Sequence, residues 1–120
     1  MEQHHLSDSE YRLLRVVWAS EPVASGQLVT LCGERLGWKK STTYTVLKKL
    51  CDKGVLRNEG STVTSAVPRA AVDHRAAEAF VDKTFGGSLP GFLTAFMGGR
   101  KLTAKEAEDL KHLIETYQEG

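Results

Sequence analysis

The 120-residue sequence predicts a mainly α fold carrying one small β-hairpin. Three observations predict it. Apolar residues recur at helical spacing in six short stretches separated by glycine or proline. Two β-branched stretches flank Asn58-Glu59-Gly60, a hairpin turn. Two of the helical stretches open on a serine or threonine with glutamate three residues later, the signature of a helix start.

Ser7 caps the first helix, Glu10 completes a capping box, and Leu6 with Tyr11 makes a hydrophobic staple. Tyr11, Leu14, Val17 and Trp18 share one face through about Ala19, and Glu21-Pro22 ends it. Ser25 reads as the cap of a second helix, with Leu28, Leu31, Cys32 and Leu36 inward and Gly37 as terminator. Trp38 reads as a packing anchor. A third helix is expected over Ser41–Lys53, closed by Gly54. Its inner face is Thr43, Val46, Leu47 and Leu50; Thr42, Tyr44, Thr45, Lys48 and Lys49 lie on the other face or at its margin. Val55-Leu56-Arg57 and Thr62 to Ala66 are the strands. Three short helices followed by a hairpin is the order of a winged helix-turn-helix.

After Pro68 the periodicity is helical again. Val72, Ala76, Phe80, Val81 and Phe85 mark a helix from about Ala70, broken at Gly86-Gly87. Leu89, Phe92, Leu93, Phe96 and Met97 mark a short, very apolar helix that Gly98-Gly99 ends. Thr103 and Glu106 form a second capping box ahead of the stripe Leu110, Leu113, Ile114 and Tyr117. Residues 1–67 are therefore expected to form a winged-helix domain, and residues 68–120 a helical region.

Charge is unevenly spread. Residues 1–69 carry ten basic against seven acidic side chains, and residues 70–120 carry six against eight. Most of the excess lies between Leu36 and Arg57: Lys39, Lys40, Lys48, Lys49, Lys53 and Arg57 against Asp52 alone. A local basic segment in a near-neutral chain implies a defined polyanion contact. Cys32 and Cys51 have no metal or redox spacing and sit beside Leu31 and Leu50, so both read as buried thiols. The apolar runs are too short to span a bilayer, and Met-Glu-Gln-His-His has no secretion-signal pattern. A cytoplasmic protein without membrane insertion is expected.

The third helix has the chemistry that groove recognition requires. A helix in the major groove needs a small, polar or basic outer face and an inner face locked into a core. Thr42 and Thr45 supply hydroxyls and methyls, Tyr44 an aromatic edge and hydroxyl, and Lys48 and Lys49 cationic arms. Lys39 and Lys40, at a helix N-terminus that favours phosphate, are backbone-contact candidates, as are Lys49 and Arg57 at the wing base. Tyr44 could instead lie against the first helix.

At this point the residues resemble the penicillinase repressors of the BlaI/MecI type, with their copper-responsive relatives. The resemblance runs from about Leu6 to Tyr117. It rests on Leu6-Ser7-Asp8-Ser9-Glu10 with Trp18, on Gly37-Trp38-Lys39-Lys40-Ser41-Thr42, and on Leu47 through Asp52-Lys53-Gly54. Phe85-Gly86-Gly87-Ser88 and Lys101-Leu102-Thr103 complete it. It implies a homodimeric repressor of a palindromic TACA…TGTA-type operator, with base-contact positions at Ser41, Thr42, Tyr44, Thr45 and Lys48. It also implies inactivation by proteolysis in the dimerisation domain, after a membrane sensor metalloprotease detects a β-lactam. The family's scissile Asn-Phe pair aligns with Ala95-Phe96, where the phenylalanine is kept and the asparagine replaced. The cysteine cluster of the copper-responsive branch is absent, since no cysteine follows Cys51.

The residues independently favour a dimer. The last three helices carry more apolar surface than a small region buries internally, and a two-fold dimer matches a palindrome. Phe80, Phe85, Phe92, Leu93, Phe96, Leu110, Leu113, Ile114 and Tyr117 are the interface candidates.

Enzyme chemistry is not expected. The chain lacks a phosphate-binding Gly-Lys-Ser/Thr loop and a His-Glu-x-x-His zinc site. Gly86-Gly87-Ser88-Leu89-Pro90 lacks the second glycine of a nucleophile elbow. His4, His5, His74 and His112 have no ligand spacing, so neither metal nor cofactor is expected. Two other readings stay open. One is a winged helix used for protein–protein assembly through its basic face; the other is a repressor released by a direct small-molecule effector.

Overall fold

The computed structural model describes residues 5–119; His4 and the other residues of the stretch read for a secretion signal, apart from His5, lie outside them. The elements run α1 (Asp8–Ser20), β1 (Val23–Ala24), α2 (Ser25–Leu36), α3 (Lys40–Asp52), β2 (Leu56–Glu59), β3 (Thr62–Ser65), α4 (Arg69–Phe85), α5 (Leu89–Met97) and α6 (Ala104–Tyr117). Contacts divide the chain into a unit ending at Ala79 and another beginning at Phe80.

The first unit is built around α1–α3. Leu13, Leu14 and Val17 of α1 meet Leu28 and Cys32 of α2 and Val46, Leu47 and Leu50 of α3 in one buried cluster. Val63 of β3 and Val72 of α4 join it, and Trp38 packs against it as an anchor. The expected capping box forms at α1: Glu10 N–H donates to Ser7 Oγ, and Ser7 N–H to Glu10 Oε1. Gly37 ends α2 in the left-handed conformation, at φ 70°.

The hairpin differs from expectation in two respects, and the start of α2 in a third. It is part of a three-stranded antiparallel sheet of order β1-β3-β2, because Val23 and Ala24 pair with Val63 and Thr62. Its turn is Gly60-Ser61 rather than Asn58-Glu59-Gly60, since Glu59 already pairs with Thr62. Both turn residues have positive φ, 58° and 63°, which the right-handed twist of a two-residue hairpin requires. Ser25 is the first residue of α2 and not its cap; it is buried, and its N–H donates to Ser61 O at 2.8 Å.

The second unit is a ring cluster with two short helices. The Phe80, Phe85 and Phe92 centroids stand 5.6–6.0 Å apart in tilted or edge-on contacts, and Phe96 stacks 5.7 Å from Phe92. Ser88 caps α5, and Thr103 with Glu106 forms the expected capping box of α6. Neither α5 nor α6 buries a residue.

Candidate nucleic-acid interface

Helix α3 is held from behind and presented in front. Thr43, Val46, Leu47 and Leu50 are buried, and Thr43 Oγ1 satisfies itself on Lys39 O at 3.2 Å. Ser41, Thr42, Thr45, Lys48 and Lys49 are exposed on the opposite side, as are Lys39 and Lys40. Lys39 is the N-cap residue and makes no side-chain cap bond, and the first turn has no acidic residue. The N–H groups of that turn therefore point outward without an anionic partner, beside two lysines. That is a phosphate-attracting end.

The wing lies beside the second half of α3. Tyr44, Leu47, Lys48 and Cys51 of α3 line a cleft of about 530 Å³ with Leu56, Arg57 and Asn58 of β2. Tyr44 is 37% exposed and contributes its ring to this cleft. Arg57 has no carboxylate partner among the described residues, so its charge is available to an outside anion. Lys48 is bonded to Asp52 at 3.1 Å one turn on. Both side chains are largely exposed, and a surface pair of this kind is worth less than about 1 kcal/mol, so it yields readily to a ligand. Asn58 lies outside the expected site residues, because in the sequence it stands within the expected turn.

Two polar contacts outside the expected set brace this surface. Lys53, the C-cap of α3, donates to Glu10 Oε1 at 2.7 Å. Glu21, the C-cap of α1, accepts from Ser65 N–H at 2.7 Å and from Ser65 Oγ at 2.8 Å. Sequence spacing signals neither, because each joins residues more than forty positions apart. Burial pushes the thiols of Cys32 and Cys51 up, so both are protonated at neutral pH.

In the second unit the interface candidates divide by burial. Phe85, Phe92, Leu93 and Leu110 are half-buried, whereas Phe80, Phe96, Leu113, Ile114 and Tyr117 are exposed. Ala95 and Phe96 lie in the last turn of α5, both exposed, with the Arg100 guanidinium 4.4 Å over the Phe96 ring. Among the described residues no group of three or more His, Cys, Asp or Glu side chains could hold a metal ion. No helix there is long and apolar enough to cross a membrane.

A three-helix core that presents its third helix outward beside a three-stranded wing defines a winged helix-turn-helix protein of the DNA-binding class. The family described as penicillinase repressor matches residues 6–116, and the chain belongs to that family. It is accordingly a DNA-binding transcriptional repressor and not an enzyme. The penicillinase repressor of Staphylococcus aureus is 20% identical, over 94% of this chain and 93% of its own length. An uncharacterised 16.5 kDa protein of Latilactobacillus sakei is 24% identical, over 92% and 79%. Bacillus licheniformis BlaI, solved as a monomer in complex with a half-operator, is similar at 23% identity and TM-score 0.49, over 58% of this chain and 92% of that one.

Proposed function

We propose that the chain acts as a cytoplasmic homodimer on a palindromic TACA…TGTA-type operator, each protomer setting α3 in a major groove. The observation that carries this reading is the outward face of α3, with its uncapped, acid-free first turn and, beside it, Arg57 without a carboxylate partner among the described residues. Ser41, Thr42, Tyr44, Thr45 and Lys48 read base edges, and Lys39, Lys40, Lys49 and Arg57 hold phosphates. Residues 1–67 form the DNA-binding domain and residues 68–120 the dimerisation domain. The exposed apolar side chains of α4–α6, with Phe80 51% and Ile114 59% exposed, support a second copy as the surface that covers them.

The regulated genes are of the β-lactam-resistance type. The signal is a cut at Ala95-Phe96 by a membrane sensor metalloprotease, which would separate α6 from the rest of the chain. Exposure of both residues in α5 supports access.

Fluorescence anisotropy on a labelled TACA…TGTA duplex and a scrambled control, at several salt concentrations, tests the reading. The expected result is two protomers per duplex and a clear preference for the palindrome. Weak binding, equal on both duplexes and lost near physiological salt, would reject it in favour of a protein-assembly role. Release of the duplex by a small molecule with the chain uncut would reject the proteolytic signal alone.

A further inference from the structure

We propose that Glu21 is the positioning residue for the wing: its carboxylate sets the angle at which β2 offers Arg57 to the DNA backbone. The inference rests on the DNA-binding reading above. Glu21 begins from a fixed point, because its own N–H donates to Val17 O at 2.8 Å as the C-cap of α1. Its two oxygens engage one residue, Oε1 taking the Ser65 N–H at 2.7 Å and Oε2 the Ser65 hydroxyl at 2.8 Å. A fork of two bonds fixes orientation as well as distance.

The sheet register explains why a side chain does this work. Val23 pairs with Val63 and Ala24 with Thr62, so the antiparallel register continued backwards sets position 21 opposite position 65. Strand β1 ends before that point, and Pro22 has no N–H to extend it. The Glu21 carboxylate therefore supplies the acceptor that a longer β1 would have supplied from its backbone. Nearer the tip, β3 is held by the β1 pairs, by Ser25 N–H to Ser61 O at 2.8 Å and by the buried Val63, none of which involves Glu21. These survive a change of that side chain; the tie between α1 and the other end of β3 does not. There, beyond the pairs of the hairpin itself, only Ala66 N–H to Val55 O at 2.9 Å and Val55 N–H to Leu50 O at 3.0 Å remain as backbone holds among the described residues.

Arg57 depends on that end. Ser65 pairs with Leu56, and the adjacent pair is Thr64 with Arg57. Without the carboxylate the sheet loses its tie to α1 and is anchored at that end only through Val55 and Leu56, so the outer part of β2 shifts and carries Arg57 away from Lys48 and Tyr44 across the cleft. The base-reading face of α3 lies on a separately packed helix and is left in place.

The test is anisotropy over a range of salt, on the palindromic and scrambled duplexes. It compares wild type with Glu21→Ala, Glu21→Gln, Ser65→Ala, Arg57→Met and the Glu21→Ala/Arg57→Met double variant. Glu21→Ala is expected to lose one phosphate contact per protomer, flattening the slope of log K against log salt by about 0.9 per protomer. Arg57→Met gives the same flattening and the double variant no more, while the preference for the palindrome persists in all. Ser65→Ala keeps the N–H bond of the fork and falls between, while Glu21→Gln, whose amide oxygen accepts from Ser65 N–H and whose NH2 can donate to Ser65 Oγ, stays nearer wild type; they also carry the comparison if Glu21→Ala does not fold. A lower melting temperature with an unchanged slope, or slope losses that add in the double variant, would overturn the role of Glu21. A wild type without duplex preference overturns the DNA-binding reading itself, which separates the two failures.

Discussion

Lys53 Nζ stands 2.7 Å from Glu10 Oε1, a bond that ties the end of α3 to the first turn of α1. Glu10 is only 2% exposed, and its Oε2 has no hydrogen-bond partner among the described residues, so the lysine is the charge that keeps this carboxylate tolerable inside the fold. Replacing Lys53 by methionine leaves a buried anion without its cation. The expected loss is about 3 kcal/mol of unfolding free energy, read from urea denaturation. Glu10→Gln leaves no buried charge and costs less, about 1.5 kcal/mol. A Lys53→Met midpoint equal to wild type would remove the pair from any account of stability.

The same pair predicts a sensitivity to acid. Burial raises the Glu10 pKa, but the bond from Lys53, the Ser7 N–H and the lysine charge outweigh it and hold the group below its ordinary 4.5. A carboxyl depressed on folding contributes stability that is fully present above 4.5 and is lost as pH falls through the folded value. Wild type should therefore lose stability below that pH more steeply than Glu10→Gln. Parallel curves for the two proteins would contradict it.

At the wing tip Ser61 holds φ 63°, a left-handed conformation that costs a residue with a Cβ roughly 1 kcal/mol. Ser61→Gly removes that cost, since glycine takes a positive φ without a Cβ clash. A rise of a few degrees in melting temperature is expected, with DNA affinity unchanged. A fall would mean that the serine side chain stabilises the turn in a way its backbone angle does not reveal.

Ile114, on the exposed stripe of α6, tests the second copy. Ile114→Asp sets a charge on that apolar surface and should shift sedimentation from dimer to monomer. Affinity for the palindrome should then fall toward that for a half-site, with the fold intact by circular dichroism. A variant that remains dimeric would exclude this face of α6 from the interface.

Thr45 and Lys49 separate readout from attraction. Thr45→Ala should change which base pairs are preferred, at about 1–3 kcal/mol of discrimination. Lys49→Ala should weaken every duplex alike and reduce the salt slope by about 0.9 per protomer. Equal loss of specific and non-specific binding in the Thr45 variant would take that residue out of the groove.

Much of this molecule is legible in its sequence where the forces are local. Ser7 with Glu10 and Thr103 with Glu106 announce their helices because each capping box closes within four residues, and Gly37 announces an end because its backbone must turn left-handed. The face of α3 is legible for the same reason: Thr43, Val46, Leu47 and Leu50 recur with the helix and leave the polar residues outside. What escapes is set by distant partners. Val23 and Ala24 are a strand only because Val63 and Thr62 lie beside them, and Ser25 looks like a cap until its N–H is committed to Ser61. The turn is Gly60-Ser61 rather than Asn58-Glu59-Gly60 because the register of β2 on β3, rather than turn propensity, decides which residues remain unpaired. Glu10 reads as a capping residue, and nothing nearby reveals that it also receives Lys53.

The pairing of β1 with β3 has a consequence for how the molecule folds. Val23 and Val63 meet across about forty residues of chain, and everything between them is α2, α3 and β2. The sheet therefore cannot close until both helices have come together, and a loop of that length is slow to close compared with a local hairpin. The β2–β3 hairpin is local and can form early, but β1 joins β3 only after α2 and α3 have docked, so the attachment of the wing to the helices is among the last contacts to form.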